Sequence, residues 1–173
     1  FDAVDVNMLF EVEVDGQKTI RPHILRGVNQ KNVPAIHQEI RDFQSQHHQS
    51  QEAKFIESFV RLPGFIRRII LRLLLGNPHF IKEYYGTVLV TSIGMFVTGA
   101  GWGLPVPNHS LQITLGGVAD KPAVVNGQIE IHKFMSVTVS FDHDVIDGAP
   151  AARFIHHLKN QVEKGYIHGE DYA

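Results

Sequence analysis

The Asn126-Gly127 pair is the feature that most constrains what this chain can fold into. Apolar residues precede the pair, and isoleucines alternate with polar residues after it, over 123–125 and 128–131. An Asn-Gly pair between such segments is typical of the two-residue type I′ turn, whose twist matches that of two antiparallel strands. The sequence therefore predicts a β-hairpin, and with it a sheet that is antiparallel at least in part.

Strand patterns occur in two groups, separated by helical ones. Strands are predicted over 10–14, 20–25, 86–92, 110–115, 123–131 (the hairpin) and 134–141, where β-branched or apolar residues recur with the strand period. Helices are predicted over 33–45, 52–62, 65–75 and 150–164, with Asn32 as the cap of the first and Gly76 ending the third. The polar stretch 44–51 is interpreted as a frayed helix end or a linker.

Two of these helices have a broad apolar side, which in the last helix is predicted to face inward. In the third helix that side comprises Ile66, Ile69, Ile70, Leu73 and Leu74. In the last helix it comprises Ala152, Phe154, Ile155, Leu158 and Val162. The order strands, helices, strands, helix predicts an α+β fold with a mixed or antiparallel sheet and helices packed on one side, not a doubly wound one.

Composition excludes several classes of function. The 173 residues fit one domain, and an apolar content of 43% is enough for a core. A formal charge of −2 argues against binding nucleic acid through bulk charge. The absence of cysteine excludes a disulfide framework, a thiol nucleophile and a cysteine-based metal site.

The densest polar signal is the stretch 140–148, which lies between a predicted strand and a predicted helix. It contains His143, flanked by acids, and Asp147 next to a glycine. A histidine just beyond a strand end is well placed to reach a cleft from a rigid support. On the residues alone, the alternative is a capped turn with solvated acids.

This stretch resembles the His-x-x-x-Asp-Gly signature of the 2-oxoacid dehydrogenase acyltransferases, relatives of chloramphenicol acetyltransferase. As in that family, an alanine-rich helix follows, over 149–154. The segment 86–96 is similar to the family's Gly-Thr-Phe-Thr-Ile-Ser-Asn-Leu-Gly segment. Residues 111–121 resemble its strand ending in Gly and Lys-Pro, and 21–41 its Val-Pro-Val-Ile strand and following helix. The resemblance covers most of the chain in the right order.

The resemblance implies a chloramphenicol acetyltransferase-like fold and acyl transfer between coenzyme A and a thiol such as a dihydrolipoyl group on a partner. It implies that His143 is the general base and that Thr91 supplies the hydroxyl that stabilises the oxyanion. Ser92 is the alternative, and Thr91 could instead be an ordinary strand residue. Asp147 is implied to hold the loop geometry. The family's site forms between subunits, which implies a homotrimer or a multiple of trimers.

The chain also departs from the family. Asp144 stands where the signature usually has arginine, and 55–85 is more apolar and more helical than the family's equivalent. We expect a single, N-terminally incomplete catalytic domain over 1–173, without lipoyl-bearing or subunit-binding domains, in the cytoplasm. The physiological acceptor therefore need not be lipoamide. The alternative function is a catalytically weak trimeric scaffold or binding relative.

Three weaker signals remain. The pairs His47-His48 and His156-His157 are interpreted as solvated rather than metal-binding, because adjacent helical residues point in different directions. The 65–75 helix is interpreted as core or subunit interface, with attachment to a membrane surface through its arginines as the alternative. The glycine-rich segment 99–103 is interpreted as a turn or interface loop.

Overall fold

The computed structural model describes residues 2–14, 16–45, 62–94, 96, 98–106 and 108–165. This part of the chain contains five β-strands and four α-helices. It groups into two compact units, Phe1–Thr87 and Val88–Ala173. The α+β class is confirmed. The assignment of 1–173 to a single domain stays a prediction.

The first unit begins with an antiparallel hairpin. Strand β1 (Val6–Val14) pairs with β2 (Gln17–Leu25), and Gly16 adopts a φ of 76° in the turn between them. Alternation places Phe10 and Val12 on the same side of β1, and both are buried. The two predicted strands are confirmed.

Helix α1 (Val33–Ser45) packs on this hairpin. Its first turn is capped as the sequence predicts, because the Asn32 side chain accepts a hydrogen bond of 2.9 Å from the Ala35 amide. The Phe43 ring lies 5.5 Å from the Phe10 ring and stacks on His23 at 4.2 Å. These ring contacts tie the apolar side of the helix to the sheet.

A buried carboxylate joins the hairpin to the end of this unit. Asp5 accepts a 2.8 Å hydrogen bond from the Gly27 amide and pairs with Arg26 at 3.2 Å and with Lys82 at 3.8 Å. Its main chain exchanges hydrogen bonds with Thr87. Burial by itself raises the pKa of Asp5, but the amide and the two cations outweigh it, so the pKa of this carboxyl lies below its ordinary value of 3.8.

Two further helices complete the first unit. Helix α2 (Gly64–Leu75) ends at Gly76 as predicted, and α3 (Pro78–Tyr85) follows at once. The sequence reading missed α3, although the Asn77-Pro78 pair signals its start: the Asn77 side chain accepts a hydrogen bond of 3.0 Å from the His79 amide. The helix predicted over 52–62 and the pair His47-His48 lie outside the described residues, apart from Leu62.

The broad apolar side of α2 is covered only in part. Ile66, Ile70 and Leu74 are half-buried, whereas Ile69 and Leu73 are 57% and 71% exposed. No residue of α2 is buried, so within this chain it is not a core helix, and its interpretation as a subunit interface stays a prediction. Periodicity identifies an apolar side but does not say whether anything covers it.

The second unit contains a mixed sheet. Strand β3 (Val88–Ser92) runs parallel to β4 (Leu111–Val125), which is antiparallel to β5 (Gln128–Phe141). Asn126 and Gly127 have φ values of 51° and 80°, as a type I′ turn requires. The predicted hairpin is confirmed.

Strands β4 and β5 are longer than the sequence predicts. Two predicted strands merge into β4, because a β-bulge between Leu115 and Val118 absorbs the glycine pair that separates them. Pro122 is tolerated because, within this unit, β4 pairs only with β5 at that point and has a free edge. The β5 strand likewise joins two predicted segments.

Helix α4 (Gly148–Glu163) follows β5. The Phe154 ring meets the Phe141 ring edge-on at 5.7 Å, which fixes the helix to the sheet. No residue of α4 is buried, and Val162 is 59% exposed, so the predicted inward face is only half covered in this chain. That part of the prediction is wrong because periodicity, as in α2, does not say whether anything covers an apolar side.

Candidate active site

The sheet of the second unit has one apolar and one polar face. Register partners and alternate residues share a face. Val90, Ile113 and Val139 lie in one row of the apolar face, to which Phe141 also belongs. The polar face carries mainly hydroxyl and amide side chains: Thr91, Gln112, Thr114, Ser136, Thr138 and Ser140.

Two buried side chains on that face each have an oxygen atom without a hydrogen-bond partner among the described residues. Gln112 is 4% exposed and Thr114 is 2% exposed. Among the described residues, neither the Gln112 Oε1 nor the Thr114 Oγ1 accepts a hydrogen bond. Thr114 is the register partner of Thr91, so the Thr91 side chain lies beside this unsatisfied oxygen. Such groups are rare in proteins and often mark a site that binds something.

The glycine-rich segment lies across the same face. The Gly117 amide donates a hydrogen bond of 2.9 Å to the Gly101 carbonyl. A Cβ on Gly103 would meet the Thr114 Cγ2 at 2.3 Å, and a Cβ on Gly116 would meet the Gly101 carbonyl at the same distance. Only glycine permits so close an approach of backbone to sheet. Within this unit the segment 98–106 lies over the polar face, and we call it the glycine cover.

The loop that carries His143 is shaped by its neighbour Asp142. The Asp142 side chain accepts a hydrogen bond of 3.0 Å from the Asp144 amide, and its carbonyl accepts from the Val145 and Ile146 amides. Its own amide donates to the Ser110 carbonyl at 3.0 Å. These bonds form an Asx-type turn that holds His143 just beyond the end of β5. Sequence reasoning assigned no role to Asp142, although Asp-x-Asp after a strand is a signal for such a turn.

The predicted site residues are separated within one chain. His143 and Asp147 are exposed, and Thr91 is half-buried in β3. Three residues along the strand, about 10 Å, and two strand spacings, again about 10 Å, separate Thr91 from the end of β5. The Asp147 carbonyl accepts from Ala151, and its side chain caps no helix amide. The roles of all three residues stay predictions.

Within the described residues, no group of three or more metal-ligating side chains forms. The His156 and His157 rings instead make hydrogen bonds of 3.0 Å and 3.2 Å with Asn160 and Gln161, one turn further along α4. Both histidines are exposed. They therefore act in the surface network of this helix.

The family comparison locates the chain among known proteins. Residues 81–166 match the model of the 2-oxoacid dehydrogenases acyltransferase catalytic domain. The resemblance to that family is confirmed over this part of the chain. Over 80 residues the chain is 34% identical to the human mitochondrial dihydrolipoyllysine-residue succinyltransferase component of the 2-oxoglutarate dehydrogenase complex. That match covers 45% of this chain and 17% of the relative, so the chain spans about a sixth of that protein's length.

Solved structures support the fold. The Azotobacter vinelandii dihydrolipoamide acetyltransferase superposes with a TM-score of 0.59 at 18% identity, covering 93% of this chain and 54% of that one. The cubic core of the pyruvate dehydrogenase multienzyme complex gives a TM-score of 0.60 at 16% identity, with the same two coverages. At these identities the likeness shows the acyltransferase fold, as the sequence resemblance implied.

Proposed function

We propose that the chain transfers an acyl group between a coenzyme A thioester and a thiol acceptor such as a dihydrolipoyl group. His143 is the general base and Thr91 the oxyanion donor. The family match carries this proposal, because it runs from α3 into α4 and includes both residues. The cytoplasmic location stays a prediction.

The spacing of the site residues supports the assignment. The solved Azotobacter acetyltransferase is described by the roles of a serine, a histidine and an asparagine in its catalytic mechanism. That serine and histidine lie as far apart along their chain as Thr91 and His143 do here. That histidine and asparagine lie as far apart as His143 and Asp147. A threonine keeps the hydroxyl of a serine, and an aspartate keeps an oxygen acceptor.

The chemistry needs a base and a donor. A thiol is mostly protonated at neutral pH, so the neutral His143 imidazole takes its proton as the sulfur attacks the thioester carbonyl carbon. The carbonyl electron pair moves to oxygen, which accepts a hydrogen bond from the Thr91 hydroxyl. When the carbonyl re-forms, the other carbon–sulfur bond breaks and the leaving thiolate takes the proton back from His143. Atoms and charge balance without a further reactant.

The separation of Thr91 and His143 supports a site shared between subunits. Two groups that act on one carbonyl must each lie within about 3 Å of a reacting atom. In one chain the register places Thr91 diagonally across the sheet from Phe141, the last residue of β5, which comes two residues before His143. In a trimer or a multiple of trimers, Thr91 of one subunit faces His143 of the next, so that both side chains reach the same carbonyl.

A transfer assay tests the proposal. Purified protein is incubated with a panel of acyl-coenzyme A donors and dithiol acceptors, and free coenzyme A and the acyl-acceptor thioester are quantified by chromatography. His143→Ala is expected to lower the transfer rate at least about 100-fold, because loss of a general base typically costs that much. Since His143 is exposed, the fold should survive, which circular dichroism checks. An unchanged rate in a folded variant would place the chemistry elsewhere.

Complementation tests the shared site. Thr91→Val is expected to lower kcat by about 100-fold with little change in KM, while Thr91→Ser keeps most of the rate. Hybrid assemblies of Thr91→Val and His143→Ala chains should regain part of the activity, since some interfaces then pair an intact Thr91 with an intact His143. No recovery after verified subunit exchange would refute the shared site. A wild-type protein that forms trimers but transfers no acyl group would instead support the scaffold alternative.

A further inference from the structure

Helix α2 carries an apolar stripe that none of the described residues of its unit covers. Phe65, Ile69 and Leu73 recur at intervals of four residues and therefore line one side of the helix. They are 67%, 57% and 71% exposed, in a unit whose core side chains are almost fully buried. Burying such side chains against an apolar phase is favourable. The stripe therefore requires a partner.

The charge beside the stripe indicates what that partner is. Arg68 and Arg72 follow the stripe residues Phe65 and Ile69 by three positions, so they line the border of the stripe. Arg67 adds a third positive charge, and the helix contains no acidic residue. On the contacting helix α3, the one acid is Glu83, which is already paired with Arg26 at 3.4 Å. A chain of formal charge −2 thus places two arginines, Arg68 and Arg72, along one border of an apolar stripe, with Arg67 on the other side of the helix.

We propose that α2 attaches this protein to the surface of an anionic lipid bilayer. An apolar stripe with arginines along its border is the arrangement that lets a helix lie in the headgroup region, with its apolar side chains reaching the acyl boundary. Twelve residues make a helix of about 18 Å, which suits a helix lying on the surface. No helix among the described residues is long and apolar enough to cross a bilayer.

A two-fold contact with a second copy of this chain fits the stripe less well. A two-fold contact along the stripe brings the same residues of both copies together. Arg68 and Arg72 would then approach the same two arginines of the other copy, and like charges at close range repel. An anionic surface instead offers every arginine a partner, at about 1 kcal/mol for each. The neighbouring Tyr84, 63% exposed on α3, is a residue type typical of membrane interfaces.

Vesicle flotation of the full chain tests the proposal, which does not depend on the acyltransferase activity. The protein is mixed with vesicles of phosphatidylcholine alone or of phosphatidylcholine with phosphatidylglycerol. Binding is expected only to the anionic vesicles, and it should weaken with added salt. The double variant Arg68→Gln, Arg72→Gln should lower the affinity by about 25-fold, about fivefold per arginine. The double variant Ile69→Gln, Leu73→Gln should lower it at least about tenfold.

Matched controls keep the test specific. Ile129→Gln removes an isoleucine that is 78% exposed on the β4–β5 hairpin, and Lys133→Gln removes an exposed cation there. Both should bind vesicles as the wild type does. The proposal is overturned if the wild-type chain does not float, or if the Ile69, Leu73 variant binds normally. It is also overturned if the wild type does not bind vesicles and the Ile69, Leu73 variant has a lower molar mass than the wild type by light scattering. That result would mean that a second copy of the chain covers the stripe.

Discussion

The glycine cover over the polar face makes a prediction about Gly103. This residue is buried, and its φ lies outside the left-handed region, so the backbone itself tolerates alanine. The added Cβ, however, would lie 2.3 Å from the Thr114 Cγ2 and 3.0 Å from the Ile93 Cδ1. Ile93 can move the end of its side chain, but Thr114 is 2% exposed and has little room. Gly103→Ala should therefore force the cover away from the sheet.

The magnitude follows from two opposing effects. Overpacking of a buried site costs about 1–3 kcal/mol, whereas replacing glycine by alanine gains about 0.4–1 kcal/mol by restricting the unfolded chain. The expected net loss in the free energy of unfolding is about 1–2 kcal/mol. For a chain of this length that lowers Tm by about 2–8 °C. Gly148→Ala is the matched control, because its Cβ would meet nothing within 4 Å and it begins α4, so it should raise stability slightly.

A second substitution identifies the clash. Thr114→Ser removes the methyl that the new Cβ would strike, so the double variant Gly103→Ala, Thr114→Ser should recover most of the loss caused by Gly103→Ala. Urea unfolding of the wild type, both single variants and the double variant measures the coupling. If Gly103→Ala is as stable as the Gly148→Ala control, or if Thr114→Ser gives no recovery, the cover does not contact the sheet at Thr114.

Three further predictions concern the turns and the buried acid. Asp142→Ala removes the acceptor of the Asp144 amide and loosens the turn that carries His143. The transfer rate should therefore fall about 10- to 100-fold, as measured by kcat and KM. Asp142→Asn keeps an acceptor oxygen and should keep most of the rate. Asn32→Ala removes a helix cap and should cost about 1 kcal/mol in urea unfolding. The pKa of Asp5 is lower in the folded than in the unfolded chain, so its stabilisation is complete above the ordinary value of 3.8 and is lost as the pH falls below it. The stability gap between wild type and Asp5→Asn should therefore narrow below about pH 4.

The sequence correctly predicted the turns and helix ends that depend on a few neighbouring residues. The Asn126-Gly127 turn, the Asn32 cap and the end of α2 at Gly76 each depend on one or two residues, and all three occur. The strand breaks were wrong, because a bulge at Leu115 and a free edge at Pro122 let β4 continue through residues that usually end a strand. Both depend on the neighbouring strand, which no local pattern reveals.

The candidate site was predictable in its residue types but not in its setting. Resemblance identified His143 and Thr91, yet only the register shows that Thr91 lies beside the buried, unsatisfied Thr114 hydroxyl. The turn built by Asp142 depends on a hydrogen bond to Ser110, which is far away in sequence. Contacts of this kind form only when strands pair and side chains pack, so the sequence alone does not reveal them.

The exposed faces of α2 and α4 have different requirements, although their sequences give the same amphipathic signal. On α4 the exposed Ile155 and Val162 lie on a helix that carries charges of both signs, including Lys159 and Glu163, which form an ion pair of 3.7 Å. Such a face suits a neighbouring protein subunit, whose surface is mixed in charge. On α2 the stripe around Ile69 is bordered by positive charge alone. Exposure shows that both faces need a partner, and the sign and balance of the adjacent charges distinguish a subunit from an anionic lipid surface.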